Sequence, residues 1–225
     1  ARFSETVASS ADHAELMTLA CKTAIVERDV AHLVFPDEVQ IEASNQEPSG
    51  PTGRTGSRRI SPPADVMADA VERIREAKRP LVIVGKGARG EMAEVEAFAK
   101  HIGAPVATTF KAKGLISDHH ELGCGVLGRS GTPIASWFMN ESDLIIVFGA
   151  SFSNHTGIAP YKPLIQVDYD PMALGRFHAV DVALQGHVGV TARGLTDALT
   201  GELACQDLRA EVAQVEVDRG ASRRL

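Results

Sequence analysis

The sequence predicts an α/β fold: a parallel sheet flanked by helices, with a short helix-strand remnant of a preceding domain at its start. Three observations predict it. Residues 81–84, Leu-Val-Ile-Val, form a continuous apolar run of the kind carried by a strand covered on both faces. Gly85 and Gly87 follow at once, and without Cβ atoms the backbone there can turn tightly and approach a ligand. An amphipathic segment, 91–102, comes next. Its unpaired N-terminal amides would face the turn, where a phosphate could be held. Strand, glycine turn and helix in this order suit a nucleotide site, although a plain strand-to-helix connection reads the same way.

The elements follow in order. Residues 10–28 are predicted helical, because Ser10 can cap them and Leu16, Leu19, Ala20, Thr23 and Ala24 recur at helical spacing. A strand over 30–35 stops at Pro36. From 40 to 63 the composition turns to Pro, Gly, Ser, Thr and Arg with no apolar period, which describes a linker. One helix and one strand are too little to own a core. Residues 1–40 therefore read as the end of a preceding domain, 41–61 as linker, 62–200 as a central nucleotide-binding-like domain and 201–225 as a tail.

Inside the central domain, Pro62 or Pro63 opens a helix to about 77, then the 81–84 strand, the 91–102 helix and a 104–109 strand alternate. Residues 114–131 read as a long glycine-rich, histidine-containing loop. A helix over 132–140, strands over 143–148, 164–167 and 181–184, and a closing helix over 188–199 complete the unit. Residues 205–219 look helical but charged.

Bulk properties exclude several classes. At 225 residues and 44% hydrophobic, the chain can bury a full core. It has no run of the roughly 20 apolar residues a membrane helix needs, and its first residues lack a secretory pattern, so a cytoplasmic location is expected. A net charge of −6 argues against nucleic-acid binding. Cys21, Cys124 and Cys205 fit neither a disulfide framework nor a zinc site and read as buried reduced thiols. No metal ligand set is evident. His119 and His120 read as solvent-facing loop residues, His155 as a turn residue near a crevice mouth, and Arg219, Arg223 and Arg224 as a solvated basic end.

Three more strand ends carry polar or small residues: Thr108-Thr109, Gly149-Ala-Ser-Phe-Ser153 and Asp168-Tyr-Asp-Pro171. In an open parallel sheet the carboxyl ends of the strands line one crevice, so these groups can converge on one ligand. Asp168 suits a ribose diol, since a carboxylate accepts from two hydroxyls, and it equally suits a turn before Pro171. It lies far beyond the roughly 20-residue offset of a dehydrogenase fingerprint, which disfavours an NAD dehydrogenase.

Five segments in order, Val82-Ile-Val-Gly-Lys-Gly87, Gly103-Ala-Pro-Val-Ala107, 123–131, Asp143-Leu-Ile-Ile-Val-Phe-Gly-Ala150 and Ile165-Gln-Val-Asp-Tyr-Asp-Pro171, resemble the central domain of thiamine-diphosphate-dependent enzymes such as acetolactate synthase and pyruvate oxidase. Phe35-Pro-Asp-Glu-Val39 is similar to the end of the pyrimidine-binding domain that precedes it. The resemblance implies a Rossmann-like sheet that in some members binds FAD or ADP. It would place Gly85, Lys86, Gly87, Thr109, Phe110, Leu127, Gly128, Arg129, Gly149, Ala150, Ser151, Asp168, Tyr169 and Gly186 around that nucleotide.

Two positions depart from the acetolactate synthase pattern. Ser151 stands where an arginine follows Gly-Ala, and Gly186-His187 stands where Gly-Asp is usual. Losing the arginine weakens the case for FAD. The chain also has no Gly-Asp pair for the family's Gly-Asp-Gly metal and diphosphate motif, and the activating glutamate belongs upstream. The resemblance therefore implies a fragment of a longer, oligomeric enzyme that uses thiamine diphosphate and magnesium, with no catalytic residue here and the missing flanking domains as partners. Two rivals remain: a structural domain with an empty pocket, and a stand-alone nucleotide-binding protein such as an NAD-consuming deacylase. The latter would need a Gly-Ala-Gly turn that Lys86 and Arg89 interrupt.

Overall fold

Two separate units, Ala1–Arg58 and Arg59–Leu225, divide the chain in the computed structural model, which describes residues 1–44, 46–47, 50–153 and 155–221. Asn154 and the terminal cluster of Arg219, Arg223 and Arg224 lie outside the described side chains.

In the first unit a strand β1 (Phe3–Thr6), helix α1 (His13–Glu27) and strand β2 (Ala31–Val34) form a two-stranded parallel sheet with its connecting helix. Strand β1 is not foreseen by the sequence reading, because Phe-Ser-Glu-Thr is too short and polar to show alternation. The helix starts at His13, three residues after the expected cap. Ser10 is held in the preceding turn, its carbonyl accepting from His13 Nδ1 at 2.6 Å and its amide donating to Glu42 Oε2 at 3.1 Å. A single turn, α2 (Asp37–Gln40), follows Pro36. Among the described residues of this unit only Val7 and Ala20 are buried, and Ile25 and Val30 are 54% and 64% exposed. One helix over two strands offers too little apolar area to close a core.

The second unit is a six-stranded parallel sheet. Its elements are α3 (Ala64–Glu76), β3 (Pro80–Val84), α4 (Met92–His101), β4 (Val106–Thr108), β5 (Gly123–Val126), α5 (Pro133–Glu141), β6 (Leu144–Phe148), β7 (Leu164–Asp168), β8 (Val182–Gln185), α6 (Val188–Ala198) and α7 (Arg209–Ala221). The strand order is β5-β4-β3-β6-β7-β8 with every pair parallel. Counted within this sheet it is the doubly wound order 3-2-1-4-5-6.

Every residue of β3 and β6 is buried, since helices cover both faces. The two-residue period sorts them: Val82, Val84, Ile146 and Phe148 pack with Ile74 of α3, Phe98 of α4 and Leu195 of α6. Leu81, Ile83, Ile145 and Val147 pack on the other side with Phe138 of α5 and Val212 of α7. Phe98 meets Phe148 edge to face with ring centres 5.5 Å apart. The charged segment 205–219 becomes helical only from Arg209, and Leu208 and Val212 are buried in this core. Glu211 anchors the helix, accepting from Arg79 Nη2 at 2.6 Å and from Trp137 Nε1 at 3.1 Å.

The loop expected over 114–131 contains a strand, β5, that completes one half of the sheet. Its sequence, Gly-Cys-Gly-Val, hides it. Gly125 has φ +75°, and a Cβ there would fall 2.6 Å from Thr132 Cγ2, so packing excludes the β-branched residues that advertise a strand. Of the cysteines, Cys124 is buried and Cys205 is half-buried, its thiol pushed up to about 11 by burial and by Asp143. Cys21 is exposed, contrary to the buried reading, because α1 turns that side of its surface to solvent. His119 is exposed, whereas His120 is half-buried and accepts from the Leu122 amide at 3.1 Å. No helix among the described residues is long and apolar enough to cross a membrane.

Candidate functional site

The strand order reverses between β3 and β6, so the loops leaving their carboxyl ends run in opposite directions and open a crevice. The crevice has a volume of about 620 Å³, within the roughly 300–1,000 Å³ of small-molecule sites. Its floor is where two turns touch. The Gly87 amide donates to the Gly149 carbonyl at 2.9 Å. Gly149 has φ +64°, and a Cβ on it would fall 2.5 Å from the Gly87 carbonyl carbon. Only glycine satisfies both the backbone conformation and the approach.

Beside it, Phe152 adopts φ +62°, a left-handed conformation costing a side-chain-bearing residue about 1–2 kcal/mol. Its ring lies 6.1 Å from that of His178. On the other wall the Thr109 amide donates to the Val84 carbonyl at 2.9 Å and the Leu127 amide to the Thr108 carbonyl at 2.9 Å, which ties the β4 and β5 exits to the end of β3.

Gln166 holds the loops in place. It is 1% exposed in the middle of β7. Its Nε2 donates to the Ala150 carbonyl at 2.8 Å and to the Ala173 carbonyl at 3.0 Å, and its Oε1 accepts from the Gly175 amide at 2.9 Å. A buried amide with its partners satisfied fixes the loops it joins, here the floor loop after β6 and the turn after β7.

Of the fourteen residues that the resemblance implies, eight line the crevice: Gly85, Lys86, Thr109, Phe110, Arg129, Gly149, Ala150 and Ser151. Gly87 lies just behind, against Gly149. Gly128 sits under the Phe110 ring, where a Cβ would fall 2.8 Å from Cε2. Leu127 is 2% exposed and serves the core. Asp168 and Tyr169 sit at the same end of the sheet one strand beyond β6, and Gly186 two strands beyond, all outside the crevice lining. The Gly186 amide donates to the Asp168 carbonyl at 3.0 Å. Asp168 Oδ1 accepts from the Asp170 amide at 3.0 Å, the turn role that the following proline suggests, and burial pushes its carboxyl above the usual range.

The helix expected to aim its amides at the glycine turn does not line the crevice either. A 3₁₀ turn, Lys86–Ala88, intervenes, and α4 starts at Met92. Glu91 occupies the N-cap, its carboxylate 3.5 Å from His187 Nε2 and 4.0 Å from Arg59 Nη1. Its side chain makes no cap hydrogen bond to the helix and is turned to these two basic groups instead. The Nδ1 of His187 and the Oγ1 of Thr191 are buried without a hydrogen-bond partner among the described residues.

Sequence reasoning missed Lys111, Ser130 and Thr156, which complete the lining along with Phe152, Ser153 and His155. It also missed Gln166, whose signal was present: a lone amide inside the apolar run Leu-Ile-Gln-Val must find partners once buried. The described lining holds two lysines and an arginine, and neither Asp nor Glu.

The family model of the thiamine pyrophosphate enzyme central domain matches residues 67–195. YdaP of Bacillus subtilis, described as thiamine pyrophosphate-containing, is 31% identical over 197 residues, covering 87% of this chain and 34% of that protein. The acetolactate synthase large subunit of Corynebacterium glutamicum is 36% identical over 162 residues, covering 68% of this chain and 26% of that protein. The crystal structure of benzoylformate decarboxylase from Polynucleobacter necessarius shares the fold with a TM-score of 0.68 at 23% identity, covering 88% of this chain and 38% of that one. The chain thus spans between a quarter and two fifths of the length of these three proteins.

Proposed function

Since the chain belongs to the thiamine pyrophosphate enzyme family, whose central domain it contains, we propose that it is the middle part of a longer thiamine-diphosphate-dependent enzyme acting on 2-oxo acids. The reaction is carboligation of the acetolactate synthase kind or decarboxylation of the pyruvate oxidase kind, and the partners are the flanking domains and further copies of the same subunit. In this reading the second unit serves as a scaffold, and its crevice holds an adenine nucleotide, FAD or ADP.

One observation carries the nucleotide role: a crevice of about 620 Å³ opens at the reversal point of a doubly wound sheet, the place where such folds bind ligands. Eight residues that the family resemblance singles out line it. The thiamine cofactor fits this chain less well. Among the described residues no group of three His, Cys, Asp or Glu is placed to hold a metal ion, and in this reading the metal-bound diphosphate belongs to the flanking domains. When bound, that cofactor supplies carbanion stabilisation to the whole enzyme. This chain contributes the packing that positions its neighbours and the crevice.

Two measurements test the reading. Calorimetry of the chain with FAD, ADP and NAD should show saturable binding of an adenine nucleotide, and no binding of any of the three would leave the scaffold role alone. The parent enzyme should release carbon dioxide from a 2-oxo acid with thiamine diphosphate and magnesium, whereas the 225-residue chain should not. Turnover by the chain alone would overturn the division of labour.

A further inference from the structure

We propose that the crevice selects nucleotides by an unblocked diphosphate or triphosphate, and that Lys86, Lys111 and Arg129 supply the positive charge that reads it. The inference rests on the crevice being the nucleotide site and adds which part of the ligand is read, and by which residues. All three cations line the crevice, and all three are exposed. None of their side chains makes an ion pair or hydrogen bond among the described residues. No carboxylate is among the described lining. In a chain of net charge −6, three unpaired cations around one concavity form a local positive field. The other source of phosphate affinity, the N-terminus of α4, does not line the crevice. Loop cations are thus left to hold the anion. Thr109, Ser130 and Ser151 add hydroxyl donors.

A polyphosphate with a free terminus carries more charge than a blocked diphosphate diester such as FAD. Affinity should therefore follow phosphate charge more than the adenine or flavin ring.

The test is calorimetry of the full chain with adenosine, AMP, ADP, ATP, FAD and inorganic pyrophosphate, at low and physiological salt. Affinity should rise from adenosine to ATP, FAD should bind more weakly than ADP, and added salt should weaken ADP binding. Each of Lys86→Gln, Lys111→Gln and Arg129→Gln should weaken ADP about two- to fivefold, as exposed charge pairs do, with adenosine unaffected. Lys100→Gln, outside the crevice, should change nothing. Unchanged melting midpoints would show that these surface variants still fold. Adenosine or FAD binding as tightly as ADP, or variants that leave ADP affinity unchanged, would refute the charge readout while leaving the crevice reading intact. Binding of none of the probes would overturn both.

Discussion

Replacing Gln166 with leucine removes three hydrogen bonds at once from the point where two loops are tied to the sheet. The amide is 1% exposed, so water cannot take over its role at the strand. The Ala150 and Ala173 carbonyls lose their donor, and the Gly175 amide loses its acceptor. At about 1 kcal/mol net for each bond, the variant should lose about 3 kcal/mol. Leucine fills nearly the same volume, so little of that loss is a cavity effect. The single tryptophan, Trp137, lies in the second unit. Its fluorescence therefore follows the unfolding of this unit separately from the first, which a two-unit chain requires. With a urea slope of roughly 1–3 kcal/mol per molar, the midpoint should fall by about 1–3 M. The same variant frees the Ala150 carbonyl at the crevice floor, so ADP affinity should fall with it. Gln166→Glu gives a second reading, because a carboxylate facing two carbonyls disfavours ionisation and should recover stability as pH falls. A Gln166→Leu midpoint within about 0.3 M of the parent, less than ~1 kcal/mol, would show that these bonds do not hold the loops.

Burial raises the Asp168 carboxyl above its unfolded value. The native state then holds its proton to higher pH, so stability is greatest below the unfolded carboxyl range and declines as pH rises through the folded one. Asp168→Asn should remove that decline in urea titrations across pH 3 to 8, and an unchanged pH profile would contradict the burial argument. If the crevice ligand reaches this strand end, Asp168→Ala should cost it about 1–3 kcal/mol, read by calorimetry. Glu211 shows the opposite sign: Arg79 holds its carboxyl below the usual range, so the stability it contributes is present above the unfolded value and lost as pH falls through the folded one. Glu211→Gln should lower neutral-pH stability by about 1 kcal/mol and shift Trp137 emission, and a spectrum identical to the parent's would mean that α7 does not dock through this pair. Gly149→Ala combines a left-handed backbone with a 2.5 Å clash against the Gly87 backbone, so a melting midpoint equal to the parent's would refute the close approach of the two turns.

Much of the sheet was legible in the sequence because its central strands are covered on both faces. Two-sided burial writes a continuous apolar run, and Leu-Val-Ile-Val and Leu-Ile-Ile-Val-Phe announce β3 and β6 without any knowledge of their neighbours. The helices declare themselves by period and by Pro63. The glycines that shape the crevice floor were visible too, since backbone contact leaves no alternative residue. Strands β1 and β5 were not visible. The first is short and polar, and the second gives up its β-branched residues to the close packing around Gly125.

What only the tertiary structure decided is which polar groups face one another. Residues 86, 111 and 129 are far apart in the sequence and follow three different strands. They line one crevice only because β3, β4 and β5 are neighbours in the sheet. Nor could the sequence tell that the Glu91 carboxylate would meet His187 and Arg59, or that Gln166 would tie two loops together. Period and composition record whether a position is buried. The partner it finds there depends on strand order, which emerges only when the whole sheet forms.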